Sequence, residues 1–455
     1  MMPGGGKSGL TDDDTVGSPR YWMLVFALMA ISIYAFIDRV VLALLIDPIR
    51  QDLGATDLQM ALLMGFVFAI FSAGFMIPSG HLVDRYNRRA IIGGASVLWA
   101  LMTIVCGTAD SIEQLFIGRA GVGIAESVIA PASFSLIRDA VPKRSRGLAF
   151  SLYAMAPLIG GATSLLIGGW ILGLAVDGTF SGLPILGGLE PWQCTLIVVG
   201  SLGVPLSLTL LLAPEPSRPP VIAGEQPQDE GFLKGVSTAV AHMKAHIGIY
   251  APLILFVTFG AMSNFSKSSW SPAMIGRTWG MEPQDVGPMM GIIVLPAGVG
   301  GLLLSGFVLN WLTVRGGDIR NYGIIAAICS AIGMVGMGLA PTLTMALWMT
   351  GIASFFLGTS YSVGASTLGE VTPVRLMGRV TAIYFIFQSL LGQALGPFLI
   401  ASGSQYMFSG RKALATSFAF WMGLFGVGMV IAVAVLRHKL RRKIDAEAMP
   451  EAALA

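Results

Sequence analysis

Twelve apolar runs, each close to the length a membrane demands, constrain this chain more than any other feature. A helix needs about 20 apolar residues to cross the hydrocarbon core. The runs fall at 21–46, 58–79, 89–108, 112–139, 146–172 and 192–213, then at 249–275, 286–312, 321–340, 342–369, 377–403 and 413–436. With no water in the bilayer to satisfy backbone polar groups, helices are the natural spanning structure for runs this long. Charged residues make up 12% of the sequence, against about 25% in soluble domains. The 58 glycines suit membrane helices, which associate through small residues that let backbones approach.

Twelve spans return the chain to the face on which it began. Of the 28 Lys and Arg residues, 21 fall on that face, while Arg50, Arg277, Arg411 and Lys412 fall on the other. Basic segments are retained in the cytoplasm, so both termini are expected there. Residues 1–20 read as a disordered acidic and Gly-rich tail, 21–213 as a first six-helix bundle, and 249–436 as a second. Between them, 214–248 reads as a cytoplasmic linker. Its prolines exclude helix at first, and Phe232, Val236, Val240, Met243 and Ile247 then predict an amphipathic helix on the membrane surface. Residues 437–455 form a basic cytoplasmic tail.

An internal repeat relates the halves. An offset of 231 carries Ser135, Asp139, Pro142, Arg144, Gly147, Tyr153 and Gly161 onto Ser366, Glu370, Pro373, Arg375, Gly378, Tyr384 and Gly392. A nearby offset of 226 carries Gly80 and Asp84 onto Gly306 and Asn310, a copy that has lost its acid and most of its basic cluster.

Four ionisable residues lie inside the first bundle. Asp38 and Arg39 are about 25 Å into helix 1 by a rise of 1.5 Å per residue, and Arg119 and Glu126 share one face of helix 4. Intramembrane charges are costly and mark pathways. An Asp38–Arg119 pair is expected, with Glu126 as a second acid along the same cavity; a static structural salt bridge is the alternative. Lys267, in helix 7, mirrors Asp38 at an offset of 229. It either meets an anionic headgroup or snorkels to the surface. Tyr34, Tyr153, Asn264, Trp270, Tyr361, Tyr384, Gln388 and Gln393 are further candidates to line a substrate cavity. Ala156, Gly160, Ser164 and Gly168 form a small-residue stripe for close packing in helix 5.

The stretch Gly80-His-Leu-Val-Asp84-Arg85-Tyr-Asn87-Arg88-Arg89 resembles the helix 2–3 loop signature of the major facilitator superfamily of transporters. That signature usually has Gly at the position of Asn87, and Asn also tolerates the left-handed conformation. With Tyr34-Ala-Phe-Ile-Asp38-Arg39 and Arg119-Ala-Gly-Val-Gly-Ile-Ala-Glu126, the chain is similar to the spinster branch, transporters of sphingolipid-type and lysophospholipid-type amphiphiles. Sugar-acid and aromatic-acid transporters have similar loops. The resemblance implies two pseudo-symmetric six-helix bundles, all-α, with the substrate path between them. It implies Asp38 and Glu126 as proton-coupling acids, partnered by Arg39 and Arg119. It implies an inner gate at Gly80, Asp84, Arg85, Arg88, Arg138, Arg144 and Arg146, in which Asp84 pairs with Arg138, Arg144 or Arg146. Pro157 and Gly160-Gly161 resemble an antiporter signature and favour export by exchange.

The expected activity is proton-coupled alternating access in a bacterial inner membrane, exporting or flipping a lipid-like amphiphile; an organic-acid or drug antiporter is the alternative. The coupling ion is the proton, with no other cofactor. The expected partners are the amphiphilic substrate and membrane lipids, with the chain a monomer and nucleic acid excluded by a net charge of only +3. No nucleotide loop, metal-ligand spacing among the four histidines and three cysteines, or catalytic triad supports a membrane-embedded enzyme. A receptor using a transporter fold would not need the intramembrane charges.

Overall fold

The computed structural model describes residues 19–212 and 232–452. The expected N-terminal tail and the proline-rich part of the linker lie outside the described residues, as does the side chain of Asp84. Among the described residues, twelve helices are long and apolar enough to cross a membrane. Spans 1 to 6 are Tyr21–Leu44, Asp57–Met76, Arg88–Gly107, Ile112–Ala140, Arg146–Val176 and Pro191–Leu210. Spans 7 to 12 are Ile247–Trp279, Pro283–Val314, Ile319–Leu339, Leu343–Val371, Met377–Met407 and Ala413–Arg442. The face on which span 1 begins and span 12 ends is the terminal face; the other is the far face.

The packing obeys one approximate two-fold relation. Span 1 packs on 5, 3 on 6, 3 on 4 and 2 on 4 in the first bundle; 7 packs on 11, 9 on 12, 9 on 10 and 8 on 10 in the second. The contacts between bundles, 5 on 8 and 2 on 11, exchange under the same relation. Glycine makes these crossings close. A Cβ on Gly287 would lie 2.6 Å from the Leu165 carbonyl oxygen, and one on Gly65 2.5 Å from that of Gln393. The helix 5 stripe packs as its spacing predicts, but within its own bundle. A Cβ on Gly160 would meet the Ile33 carbonyl oxygen at 2.4 Å, and Ser164 donates to the Ile37 carbonyl at 2.7 Å.

Several spans are interrupted. Span 4 breaks after Glu126 and resumes at Ile129. Pro131 has no N–H to offer the Ser127 carbonyl, and at the same break the Ser127 hydroxyl donates to the Ile124 carbonyl at 2.7 Å. Span 5 likewise divides at Met155, beside Pro157. π-helical segments at Leu62–Val67 and Gln388–Leu395 face each other where spans 2 and 11 meet. Such segments recur at functional sites because they re-aim side chains locally.

The structure adds detail to three sequence readings. The linker helix, Phe232–Ala245, packs toward span 11: Ala239 and Met243 are buried in the second core, while Ile247 is 57% exposed. Asn87 does not adopt the left-handed conformation. Its φ is −64°, and its side chain caps span 3 by accepting from the Ala90 amide at 2.8 Å. The residues of the basic tail continue the last helix, which runs Ala413–Ala452.

Candidate functional site

Consecutive helix residues point about 100° apart, so Asp38 and Arg39 face different neighbours. Asp38, 1% exposed, turns toward spans 3 and 4. It accepts from the Thr103 hydroxyl at 2.7 Å and from Arg119 Nη1 at 3.3 Å. Arg39 turns along span 4 and pairs with Glu126, at the break in that span. The two guanidinium groups flank one ring: Arg39 lies 4.4 Å and Arg119 5.7 Å from the centre of Phe68. Phe36 covers Arg39 from its own helix at 4.7 Å.

The expected Asp38–Arg119 pair is therefore present, and Glu126 has a partner of its own. Neither pair is saturated. Nε and Nη2 of Arg119, Nε of Arg39 and Oε2 of Glu126 are buried without hydrogen-bond partners. Buried polar groups are normally bonded; here three guanidinium nitrogens are left to donate and one carboxylate oxygen to accept. Thr103 and Phe68 were not legible as site residues, because neither type stands out in an apolar run.

The cavity candidates divide. In the second bundle, Lys267 is 8% exposed and donates to the Ser354 hydroxyl at 2.7 Å, so it does not snorkel. One turn away, Asn264 lies beside Tyr361, with Tyr384 next to it. Tyr153 lies edge-on to Phe134 at 5.5 Å. Gln388 opens the π-helical segment of span 11, and Gln393, 5% exposed, leaves Nε2 unbonded there. Tyr34 and Trp270 are not placed as cavity residues. Tyr34 donates to the Val199 carbonyl at 2.8 Å and packs, tilted, against Trp99 within the first bundle. Trp270 is wholly buried and donates to the Pro397 carbonyl at 3.0 Å, joining spans 7 and 11. In both, the apolar ring drives packing and the polar tip satisfies one carbonyl.

At the terminal face, the gate candidates are arranged around an acid that was noted only as part of the repeat. Arg88, 2% exposed, donates to Asp139 and, at 2.9 Å, to Ser135. Arg138 Nε also donates to Asp139, at 3.0 Å, and Arg146 Nε donates to the Val141 carbonyl at 2.9 Å. Neither bond goes to Asp84, whose side chain is not described. Arg85 and Arg144 are exposed, and Gly80 is half-buried with open space where a Cβ would be. The second bundle keeps an equivalent pair, Arg320–Glu370 at 2.7 Å. Arg320–Glu370 thus matches Arg88–Asp139, as the offset of 231 predicts for Asp139 and Glu370, while Asn310 stands at the position of Asp84. Asp318 caps span 9 as Asn87 caps span 3 and also pairs with Arg320.

At the far face, ion pairs tie the bundles together. Arg277, at the end of span 7, pairs with Asp47 at 2.7 Å and Asp57 at 2.8 Å, and Arg50 joins Asp57 at 3.0 Å. The bidentate bonds to Asp57, both 2.8 Å, have the fork geometry that makes Arg–carboxylate pairs strong. The sequence places Arg50 and Arg277 on this face and does not single out Asp47 or Asp57.

A family model described as Major Facilitator Superfamily matches residues 26–397. Among solved structures, a bacterial homologue of the human lysosomal transporter spinster, inward-facing and unoccupied, superposes with a TM-score of 0.78 at 25% identity, covering 92% of this chain and 97% of that one. An MFS-type efflux pump of Mycolicibacterium smegmatis is 25% identical over 96% of this chain and 97% of its own length. A D-galactonate transporter of Escherichia coli O6:H1 is 26% identical over 84% and 89%. With twelve spans in two related bundles and a match over most of its length, this chain belongs to the Major Facilitator Superfamily of membrane transporters, and its fold is spinster-like.

Proposed function

We propose that this protein is a proton-coupled secondary transporter working by alternating access, in which Asp38 and Glu126 exchange protons and arginine partners as the cavity changes face. The observation that carries the reading is the pair of interlocked, unsaturated ion pairs Asp38–Arg119 and Arg39–Glu126. An arginine beside an intramembrane acid favours its charged form, and a proton can take the arginine's place when the partner leaves. Either ion pair alone would suit a structural role. Two pairs sharing Phe68, with unused donors and an unused carboxylate oxygen, suit a relay.

The substrate we propose is a lipid-like amphiphile of the sphingolipid or lysophospholipid class, supported by the likeness to the spinster homologue. The protein would sit in a bacterial inner membrane as a monomer, with the terminal face cytoplasmic, and Gly80, Asp84 and the surrounding arginines would form part of the inner gate. A second reading, an organic-acid or drug antiporter, is favoured by the similarity to a D-galactonate transporter and an efflux pump.

The test is flux of lysophospholipids and sphingoid bases in proteoliposomes, with and without an imposed pH gradient. Gradient-driven flux is expected, and Asp38→Asn should abolish it while the protein remains folded. Wild-type coupled flux in that variant would remove Asp38 from the mechanism. Galactonate flux without lipid flux would select the second reading.

A further inference from the structure

Three cations lie deep in the membrane spans, and they are not treated alike. Arg39 and Arg119 each have an acid. Lys267 has none: among the described residues, no carboxylate lies within ion-pair distance of it. Its hydrogen bond goes to Ser354, whose own hydroxyl proton is directed at the Thr350 carbonyl at 2.7 Å. Ser354 therefore gives the ammonium a lone pair and no charge. A buried cation without a counter-ion is among the costliest arrangements in a membrane protein. Snorkelling would relieve the cost, and at 8% exposure Lys267 does not snorkel.

Beside the ammonium there is room. Ser354, Gly358 and Tyr361 recur at the spacing of one helix face on span 10. Lys267 and Asn264, three residues apart on span 7, meet Ser354 and Tyr361 of that face. Between the two contacts sits Gly358, and a Cβ built there would meet nothing within 4 Å. The open space is thus bordered by an uncompensated ammonium, a serine, an asparagine amide and a tyrosine hydroxyl. These are groups that an oxyanion uses.

We infer that Lys267 is the binding site for an anionic group of the substrate, a carboxylate, sulfonate or phosphate seated over Gly358 between spans 7 and 10. The inference rests on the transporter reading above and names the charge of its substrate. The anion supplies the counter-ion that the fold withholds. Asn264 and Tyr361 add donors, and Gly358 keeps the space that a larger side chain would fill. A lipid phosphate and a free small acid share this chemistry.

The experiment uses the purified full-length chain in nanodiscs and two matched pairs of probes. D-galactonate is compared with galactitol, and lysophosphatidic acid with monoacylglycerol, so that each pair differs in the anionic group alone. Wild type is expected to bind the anion of one pair in preference to its neutral partner, and the favoured pair identifies the source. Lys267→Met should weaken anion binding by about thirtyfold or more, the usual consequence of removing one member of a buried charge pair. Binding of the neutral partner should not change. Lys267→Arg should recover most of the loss, and Gly358→Leu should block both members of the pair. Lys267→Met should also melt no lower than wild type without ligand, because an apolar side chain replaces an unpaired charge; a lysine needed only for folding would give the reverse. Equal binding of anions and neutral partners by wild type, or anion binding unchanged in Lys267→Met, overturns the inference. Flux in the same preparations separates this outcome from the function itself. Asp38-dependent flux of a neutral or cationic amphiphile that survives Lys267→Met refutes the lysine site and leaves the transporter reading standing. Lysine-dependent anion binding without Asp38-dependent flux does the opposite.

Discussion

The two bundles share a fold and differ in how they hold charge. In the first, both intramembrane arginines are matched by acids, and the terminal-face pair Arg88–Asp139 is sealed at 2% and 4% exposure. In the second, the intramembrane lysine has no acid, and the corresponding Arg320–Glu370 pair is open, at 7% and 47%. The halves thus keep the geometry of an ancestral repeat while dividing its electrostatics. Within its spans, the first bundle matches its deep arginines with its own acids. The second carries an unmatched charge and suits a cargo that brings its own. A symmetric carrier would need neither difference.

The sharpest way to break this comparison is to cut the equivalent terminal-face pairs. Asp139→Asn removes a carboxylate only 4% exposed from its pair with the buried Arg88, and breaking a buried pair from one side costs about 3–5 kcal/mol. Glu370→Gln removes a half-exposed partner, Arg320 keeps Asp318, and the cost should be below about 1 kcal/mol. Thermal denaturation of the two variants in detergent measures the difference. Equal shifts would mean that the burial asymmetry has no energetic content, and the comparison would fail at that face.

Much of this was open to sequence reading. Twelve spans follow from hydrophobic run length alone, and their ends were placed within a few residues because Lys, Arg and Pro interrupt the runs. Asp38, Arg39, Arg119 and Glu126 stand out since charge in an apolar run has few explanations. The repeat needed two offsets because the link between spans 8 and 9 is longer than that between spans 2 and 3, and the Ser79–Ser127 and Ser305–Thr359 bonds match across it. Asp318 and Arg320 take their roles from a helix cap and an ion pair, which an offset in residue types does not encode. Tyr34 and Trp270 show a second limit. An amphipathic ring in a span has the same appearance in sequence whether its polar tip meets a ligand or a carbonyl of the next helix. Phe68 and Gly358 carried no signal at all: one matters by lying between two arginines, the other by leaving a space.

A smaller effect concerns the place where the bundles meet through charge. Arg277 belongs to the second bundle, and both its acids, Asp47 and Asp57, belong to the first. The contact can persist only while the far face is shut. Arg277→Gln removes partly exposed pairs, so the expected shift in the resting population is about tenfold toward an open far face, a coupling near 1–2 kcal/mol. Spin-label distances between residue 52 and residue 282 should gain a longer component. A distribution identical to wild type would show that glycine-mediated packing of spans 5 and 8 closes that face unaided.

The smallest effect tests whether the bundles also differ at their matched helix caps. Asn87 caps span 3 with one bond to Ala90, whereas Asp318 caps span 9 through the Arg320 amide and also binds the Arg320 side chain. Replacing a capping side chain by alanine costs about 0.5–2 kcal/mol. Asn87→Ala should fall at the low end, since it loses one bond at an exposed site. Asp318→Ala should fall at the high end, because Arg320, 6% exposed, then retains only Glu370. Hydrogen exchange at the first turn of each span reads the two caps separately. If span 9 frays no more than span 3, the exposed Glu370 holds Arg320 by itself, and the second bundle is better compensated at its terminal face than at Lys267.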